Sequence, residues 1–419
     1  MTIDRRTVLA SGAALGLLTA CGSNTGRDGD GSDGKGPKLS QWYHQYGEAG
    51  TEQAVKRYAE AYDKADVSVQ WRPGNYDEQT AAALLTKSGP DVFEVNGPTL
   101  DQIQGGQVLD LTDLLDGVKD DFNQAVLAPK TYDGRNWAIP QVVDMQLLYY
   151  RKSLLADAGR TPPTSLDELV DTAKELTTKK VKGLFLGNDG GAGALGGTPL
   201  YAAGLSLVTD EGEVGFDDPA AARALAQLRA LYEDRSLLLG APSDWSDPSA
   251  FTQGLTAMQW SGLWALPAVE KALGDDFGVA AFPAAAPGAE PAVPVGAYGS
   301  AVSARSAHKQ EAKDFVRWLW VEKTGYQRDF ALSYGFHIPA RLSLAKKADV
   351  LTEGPAADAV RFSTGHGYAE PLLWTPASRV AYQDALSRII KSGANPESEL
   401  RSVVRKVSAE LDRVKKKSS

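Results

Sequence analysis

KLSQWYHQYGEAGTEQAVKRYAEAYDKADVSVQWRPGNYDEQTAAALLTKSGPDVFEV, residues 38–95, switches its hydrophobic period at short intervals. Lys38 to Tyr43 reads as a strand. Glu48 to Lys64 then carries Ala54, Tyr58, Ala61 and Tyr62 at the three- and four-residue spacing that gathers side chains on one helical face. Val67 to Trp71 alternates with period two, Tyr76 to Lys87 returns to the helical period, and Asp91 to Val95 is a short apolar run. A βαβαβ opening of this kind predicts an α/β fold with a largely parallel sheet.

The rest of the chain repeats the alternation without an internal repeat. Helices are expected at Ala220 to Glu233, Lys309 to Val321, Ala377 to Lys391 and from Glu397 into the C-terminal lysines, and a strand at Gly278 to Phe282. The stretch Pro283 to Pro294 reads as a long surface loop. With 419 residues, 43% of them hydrophobic, the chain has material for two or three domains with full cores.

Charge and residue types exclude several functions. A net charge of -9 argues against non-specific nucleic-acid binding, which needs basic surface to displace phosphate counterions. One cysteine and four well-separated histidines (His44, His308, His337 and His366) leave no disulfide framework, Cys-rich zinc site or HExxH motif, and no metal or other cofactor is expected. Nine tryptophans and 15 tyrosines supply flat, amphipathic surfaces instead.

Residues 1–21 read as an export signal. Arg5 and Arg6 precede a run from Val8 to Ala20 that is apolar apart from Ser11 and Thr19. That run suits a signal-peptide core and falls short of the roughly 20 residues that span a bilayer. It ends Leu18-Thr19-Ala20-Cys21, which resembles the lipobox of bacterial lipoproteins, and the resemblance implies lipidation of Cys21 and cleavage before it. Asp4 to Leu9 also resembles a twin-arginine signal, so either export route stays open. Residues 22–38 form a Gly-, Ser- and Asp-rich linker, with an expected end-to-end distance of about 20–25 Å. The body is therefore expected outside the cell membrane, attached only through the lipid on Cys21.

Four ordered segments carry a wider resemblance. Ser88-Gly89-Pro90-Asp91-Val92 is similar to a "G-x-PDV" strand entry. Asn136 to Pro140, Leu148 to Lys152 and Pro162 to Leu169 together resemble "YGIP…LYYNK…PPTTWDEL". Phe251 to Trp264 resembles "F-x-x-GKAAM-x-x-x-G-x-W", and Tyr334 to Arg341 a late "G-x-x-P-x-R" segment. Arg151 departs from the usual Asn. By these segments the chain resembles extracellular solute-binding proteins of ABC importers, in the carbohydrate-binding group that includes maltodextrin-binding proteins.

The resemblance implies a two-lobed periplasmic-binding-protein-like fold with hinge strands and an interlobe cleft. Lobe 1 is expected at residues 39–144 and 296–340, and lobe 2 at 145–295 and 341–419. Closure of the lobes around a carbohydrate, more naturally a di- or oligosaccharide than a single sugar, would present the loaded form to the permease subunits; the protein would work as a monomer and catalyse nothing.

A sugar offers hydroxyls in several directions and an apolar C–H face, so its site needs aromatic planes beside polar acceptors. By the resemblance, Trp264 and Trp374 fall where the family places stacking aromatics, with Trp260 a further candidate, and Asp144 matches an acidic acceptor at the hinge. His44, Gln45 and Tyr46 end the first strand and Glu94 and Asn96 the third, at the carboxyl edge where open α/β sheets collect ligands. Tyr298 lies in a Gly-rich hinge context. Gly191 to Gly196 spells GxGxxG but does not follow a strand directly, so it reads as a cleft loop with Asn188 and Asp189 as hydroxyl partners rather than a dinucleotide site. Two other readings compete: a secreted glycosidase, which needs two opposed carboxyls about 5–9.5 Å apart, and the same fold holding a peptide or polyamine.

Overall fold

The computed structural model describes residues 36–334 and 336–418. The leader, Cys21 and most of the linker lie outside these residues.

The opening stretch forms three parallel strands, Lys38–His44, Asp66–Arg72 and Val92–Val95. Lys38 pairs with Asp66 and His44 with Arg72, so the first two strands end together at one sheet edge. Strand Gly299–Val302 adds antiparallel to Val92–Val95, and Ile139–Pro140 pairs with it in turn, completing a five-stranded sheet. The first helix is Thr51–Glu60, shorter than expected: Ala61 is its C-cap and is exposed, while Ala54, Tyr58 and Tyr62 are buried beneath the sheet.

A second sheet is organised around the long strand Val142–Tyr150. Ile338–Pro339 pairs with its first two residues, Val293–Gly296 with Asp144 and Met145, and Gly278–Ala280 and Thr256–Gly262 flank its second half. Lys182–Phe185 extends the sheet beyond Thr256–Gly262, and Gly367–Tyr368 extends it beyond Val293–Gly296. The stretch expected to be a loop from Pro283 to Pro294 thus enters this sheet at Val293. Helices Pro219–Glu233, Pro376–Ser392 and Pro396–Ser418 pack against one another beside this sheet, over Leu225, Leu228, Trp260, Tyr382, Ile389 and Val407.

The chain passes between the two sheets at Gln141, at Ala297-Tyr298 and a third time between Val302 and Ile338; the first two passages run side by side. The first passage lies three residues before the boundary expected at Asp144. The two passages are tied directly, the Gln141 amide donating to the Tyr298 carbonyl at 3.2 Å. On one side of these passages an apolar core runs without a break from Leu39, Tyr43 and Trp320 through Met145 and Leu147 to Val269 and Phe277. On the opposite face of the first sheet, Trp42, Phe93 and Ala301 form a smaller cluster against which Tyr298 and Leu372 pack. Among the described residues no helix is long and apolar enough to cross a membrane.

Candidate functional site

The carboxyl edge of the first sheet gathers a polar and aromatic cluster. Glu94, 2% exposed, sits at its centre. Its Oε2 accepts from the His44 amide at 3.1 Å and faces His44 Nδ1 at 2.8 Å, while Oε1 accepts from the Tyr46 hydroxyl at 2.6 Å. The Tyr76 hydroxyl accepts from the Glu94 amide at 3.0 Å and stands 3.1 Å from the carbonyls of both Trp42 and Glu94. With Nδ1 turned to Glu94, His44 Nε2 is the ring nitrogen left without a side-chain partner in this cluster.

Rings stack on this frame. His44 lies on Tyr298 with centroids 4.2 Å apart and planes 22° apart, and on Tyr46 at 3.8 Å and 39°. Tyr46 continues to Trp71 at 5.6 Å. Burial, and then the Glu94 charge, hold the Tyr46 and Tyr76 phenols well above their ordinary pKa; burial with Asp77 and Glu94 does the same to Tyr298. All three therefore stay protonated donors at biological pH.

A hollow of about 380 Å³ opens over this cluster, lined by His44, Gln45, Tyr46, Asn75, Asp77 and Tyr298 among others. Asp77 is exposed at its mouth, yet the surrounding wall strips enough water to raise its carboxyl pKa. The chain turns at Gly74, whose φ of +81 is a left-handed value that glycine adopts without strain, into helix Tyr76–Ala83, which Asn75 caps and whose first turn carries Asp77. Across the gap lies a segment packed on the second sheet's side. Leu372 reaches the Trp42 cluster, and Arg379, paired with Glu370, exerts its charge on Asp77. Near Glu370, Tyr201 and Tyr368 form a second stacked pair, 3.7 Å and 16° apart, with the Tyr368 hydroxyl 2.8 Å from Thr198 Oγ1.

His44, Tyr46, Glu94 and Tyr298 thus come together at one edge, with Gln45 exposed in the same lining. Asn96 is exposed beyond the third strand and its carbonyl accepts from buried Lys130 at 2.7 Å. Trp264 is half-buried, edge-on to Trp245 at 5.8 Å, its Nε1 donating to the Ser246 carbonyl. Gly262 has to be glycine for this, because a Cβ there would fall 1.9 Å from the Trp264 ring.

The other expectations are corrected by packing. Trp260 is fully buried between Gln146 and Phe282, because strand Thr256–Gly262 is covered on both faces. Trp374, 4% exposed, packs edge-on against Phe216 and Tyr382 in the second core. Asn188 spends its amide on the Ala241 backbone in both directions, at 2.7 and 3.0 Å. Asp189 accepts from the amides of Gly191 and Gly193, which folds the GxGxxG stretch onto itself rather than around a pyrophosphate. Asp144 stands apart from these: it is half-buried, forms an ion pair with His337 Nδ1 at 3.2 Å and accepts from the Met145 amide through Oδ1.

Tyr76, Asp77 and the Tyr201–Tyr368 pair escaped the sequence reading. The first two were within its reach: Pro73 to Asp77 leaves the second strand at the same carboxyl edge as His44 and Glu94. Tyr201 and Tyr368 are brought together only by the fold.

Comparison with known proteins gives a consistent result. The family model described as bacterial extracellular solute-binding protein matches residues 48–323. The diacetylchitobiose binding protein DasA of Streptomyces coelicolor is 27% identical over 393 residues, covering 88% of this chain and 89% of that protein. A solute-binding protein from Thermotoga lettingae, solved with alpha-D-tagatose, superposes with a TM-score of 0.77 at 21% identity over 90% of this chain and all of that one. The GacH receptor of Streptomyces glaucescens, solved unliganded and with acarbose, superposes at 0.74 and 23% identity, covering 90% of this chain and 99% of its own.

Proposed function

The chain belongs to the bacterial extracellular solute-binding protein family, and from that membership we propose that it captures a carbohydrate in the interlobe cleft and hands it to an ABC importer. It is a binding protein rather than an enzyme. Lobe rotation about Gln141 and Ala297-Tyr298 closes the cleft, driven by the higher affinity of the closed form for its cargo.

The observation that carries the carbohydrate reading is the stack of His44 between Tyr46 and Tyr298 above the buried Glu94. Flat rings cover the C–H face of a sugar, while His44 Nε2, the Tyr298 hydroxyl and Asp77 stand ready for its hydroxyls. Arg379, the cation opposite, is already paired with Glu370, which favours an uncharged cargo. DasA, with diacetylchitobiose in its name, and GacH, solved with acarbose, make a di- or oligosaccharide the first class to try. Tyr201 and Tyr368 would extend the aromatic surface for a second sugar ring. Trp264, Gln45 and Asn96 complete the proposed binding set.

Export and attachment belong to the same proposal: cleavage before Cys21, lipidation there, and a monomeric body on the outer face of the membrane. Calorimetric titration of residues 22–419 against chito-, malto-, cello- and xylo-oligosaccharides and single sugars tests the cargo. One-to-one binding of one class with the sugar recovered intact is the expected result. Silence across the panel would move the cargo to peptides or amines, and consumption of the sugar would revive a glycosidase.

A further inference from the structure

His337 occupies the loop between helix Thr324–Ser333 and strand Ile338–Pro339, which pairs with the start of the hinge strand. The residue is 5% exposed. Its Nδ1 stands 3.2 Å from Asp144 Oδ2, and its Nε2 stands 3.5 Å from Glu48 Oε1. The two carboxylates come from distant parts of the fold. Glu48 follows Gln45 and Tyr46 in the loop that lines the cleft; Asp144 sits on the hinge strand opposite Gly296, one step from the pivot.

A neutral imidazole has one N–H and one lone pair, so it would turn a lone pair on one of these carboxylates. Only the imidazolium offers an N–H to each. Burial by itself would drive the proton off, but the nearby carboxylates, Asp144 first and then Glu48, outweigh it and lift His337 to about 10. Burial likewise pushes Glu48 up, and His337 outweighs it, so that carboxyl lies below its usual range. The other ionisable neighbours are His44, which helps lower Glu48, and the Tyr46 and Tyr149 phenols, which the charges of Glu48 and Asp144 respectively help raise. The preceding helix contributes the Ala331 carbonyl to the His337 amide at 3.0 Å and turns its Asp329 to Arg57 and Tyr58 instead. The three groups do not converge as metal ligands would.

We propose that His337 is a positioning residue: as a fixed imidazolium it locks the cleft loop 45–48 to the hinge pivot at Asp144, so that wall and pivot move as one body. It contacts no cargo in this role, and the inference holds whatever solute the cleft takes. Breaking one side of a buried charged bridge leaves the other charge uncompensated, which makes the coupling strong.

Imidazole NMR of the unliganded body across pH 5–9 tests the charge state with four histidines to assign. His337 is expected to stay doubly protonated throughout; a midpoint near the ordinary histidine value would overturn the proposal. Amide hydrogen exchange then tests the coupling. In His337→Gln, exchange at Gln45 and Thr51, whose amides donate to the Arg72 and Glu48 carbonyls, and at Met145, whose amide donates to Asp144, is expected to rise together by roughly tenfold. Acceleration confined to Ala331 and Ile338, or none, would overturn it. Should His337→Gln fail to fold, Glu48→Gln serves in its place. It is expected to lower the His337 midpoint and loosen the 45–48 loop alone, whereas an unchanged midpoint would overturn the proposal.

Discussion

The two walls of the cleft teach opposite lessons about aromatic residues. On the first sheet, His44, Tyr46 and Tyr298 stack openly over Glu94 at strand ends and in the pivot. On the second, two of the three tryptophans the sequence offers for a sugar, Trp260 and Trp374, are core, while Trp264 is only half-buried. A ring at the carboxyl end of a parallel strand has no following strand residue to cover it. A ring inside a central strand or at a helix start has neighbours on every side. Position in the topology, more than residue type, decides which rings remain for a ligand.

The contrast is sharpest in stability. Trp260→Ala should cost about 3–5 kcal/mol by emptying the second core, read as a lower denaturant midpoint. A variant of unchanged midpoint that had lost sugar affinity would break the comparison. The next effect is the pH dependence of His337. Its folded pKa of about 10 lies above the unfolded value near 6.5, so its contribution is full below 6.5 and is lost as pH rises through 10. The unfolding free energy of the wild type, read from denaturant titrations, should fall across that window by on the order of a few kcal/mol, and His337→Gln should flatten the slope. Glu94→Gln, which weakens the hold on His44 and Tyr46, should cost roughly 1–3 kcal/mol in sugar affinity by calorimetry. Tyr298→Ala should cost about 0.5–1.5 kcal/mol of affinity through its lost stacking, with little change in thermal midpoint. Arg379→Ala, at an exposed pair, should alter either quantity by about 1 kcal/mol or less.

How far the site could be read in advance follows the same divide. The strand-end rule led to His44, Tyr46 and Glu94, and applied once more to Pro73–Asp77 it would have supplied Tyr76 and Asp77. Segment likeness led to Trp264, Trp374 and Asp144 but carried no information on what packs over them. Strand Thr256–Gly262 is buried at all seven positions, so no alternation marks a face on which Trp260 could have been placed. Asn188 and Asp189 look free in sequence, yet loop amides claim them.

Local periodicity and strand-end position determined the α/β class, the parallel opening of the first sheet and the edge where His44, Tyr46 and Glu94 gather, because these depend on neighbours within a few residues. The tertiary structure alone decided which tryptophans the cores absorb and where the chain passes between its sheets. It also decided that His337 stands between Glu48 and Asp144. Those outcomes rest on contacts between residues far apart in the chain, where packing and charge pairing act only once the sheets have formed.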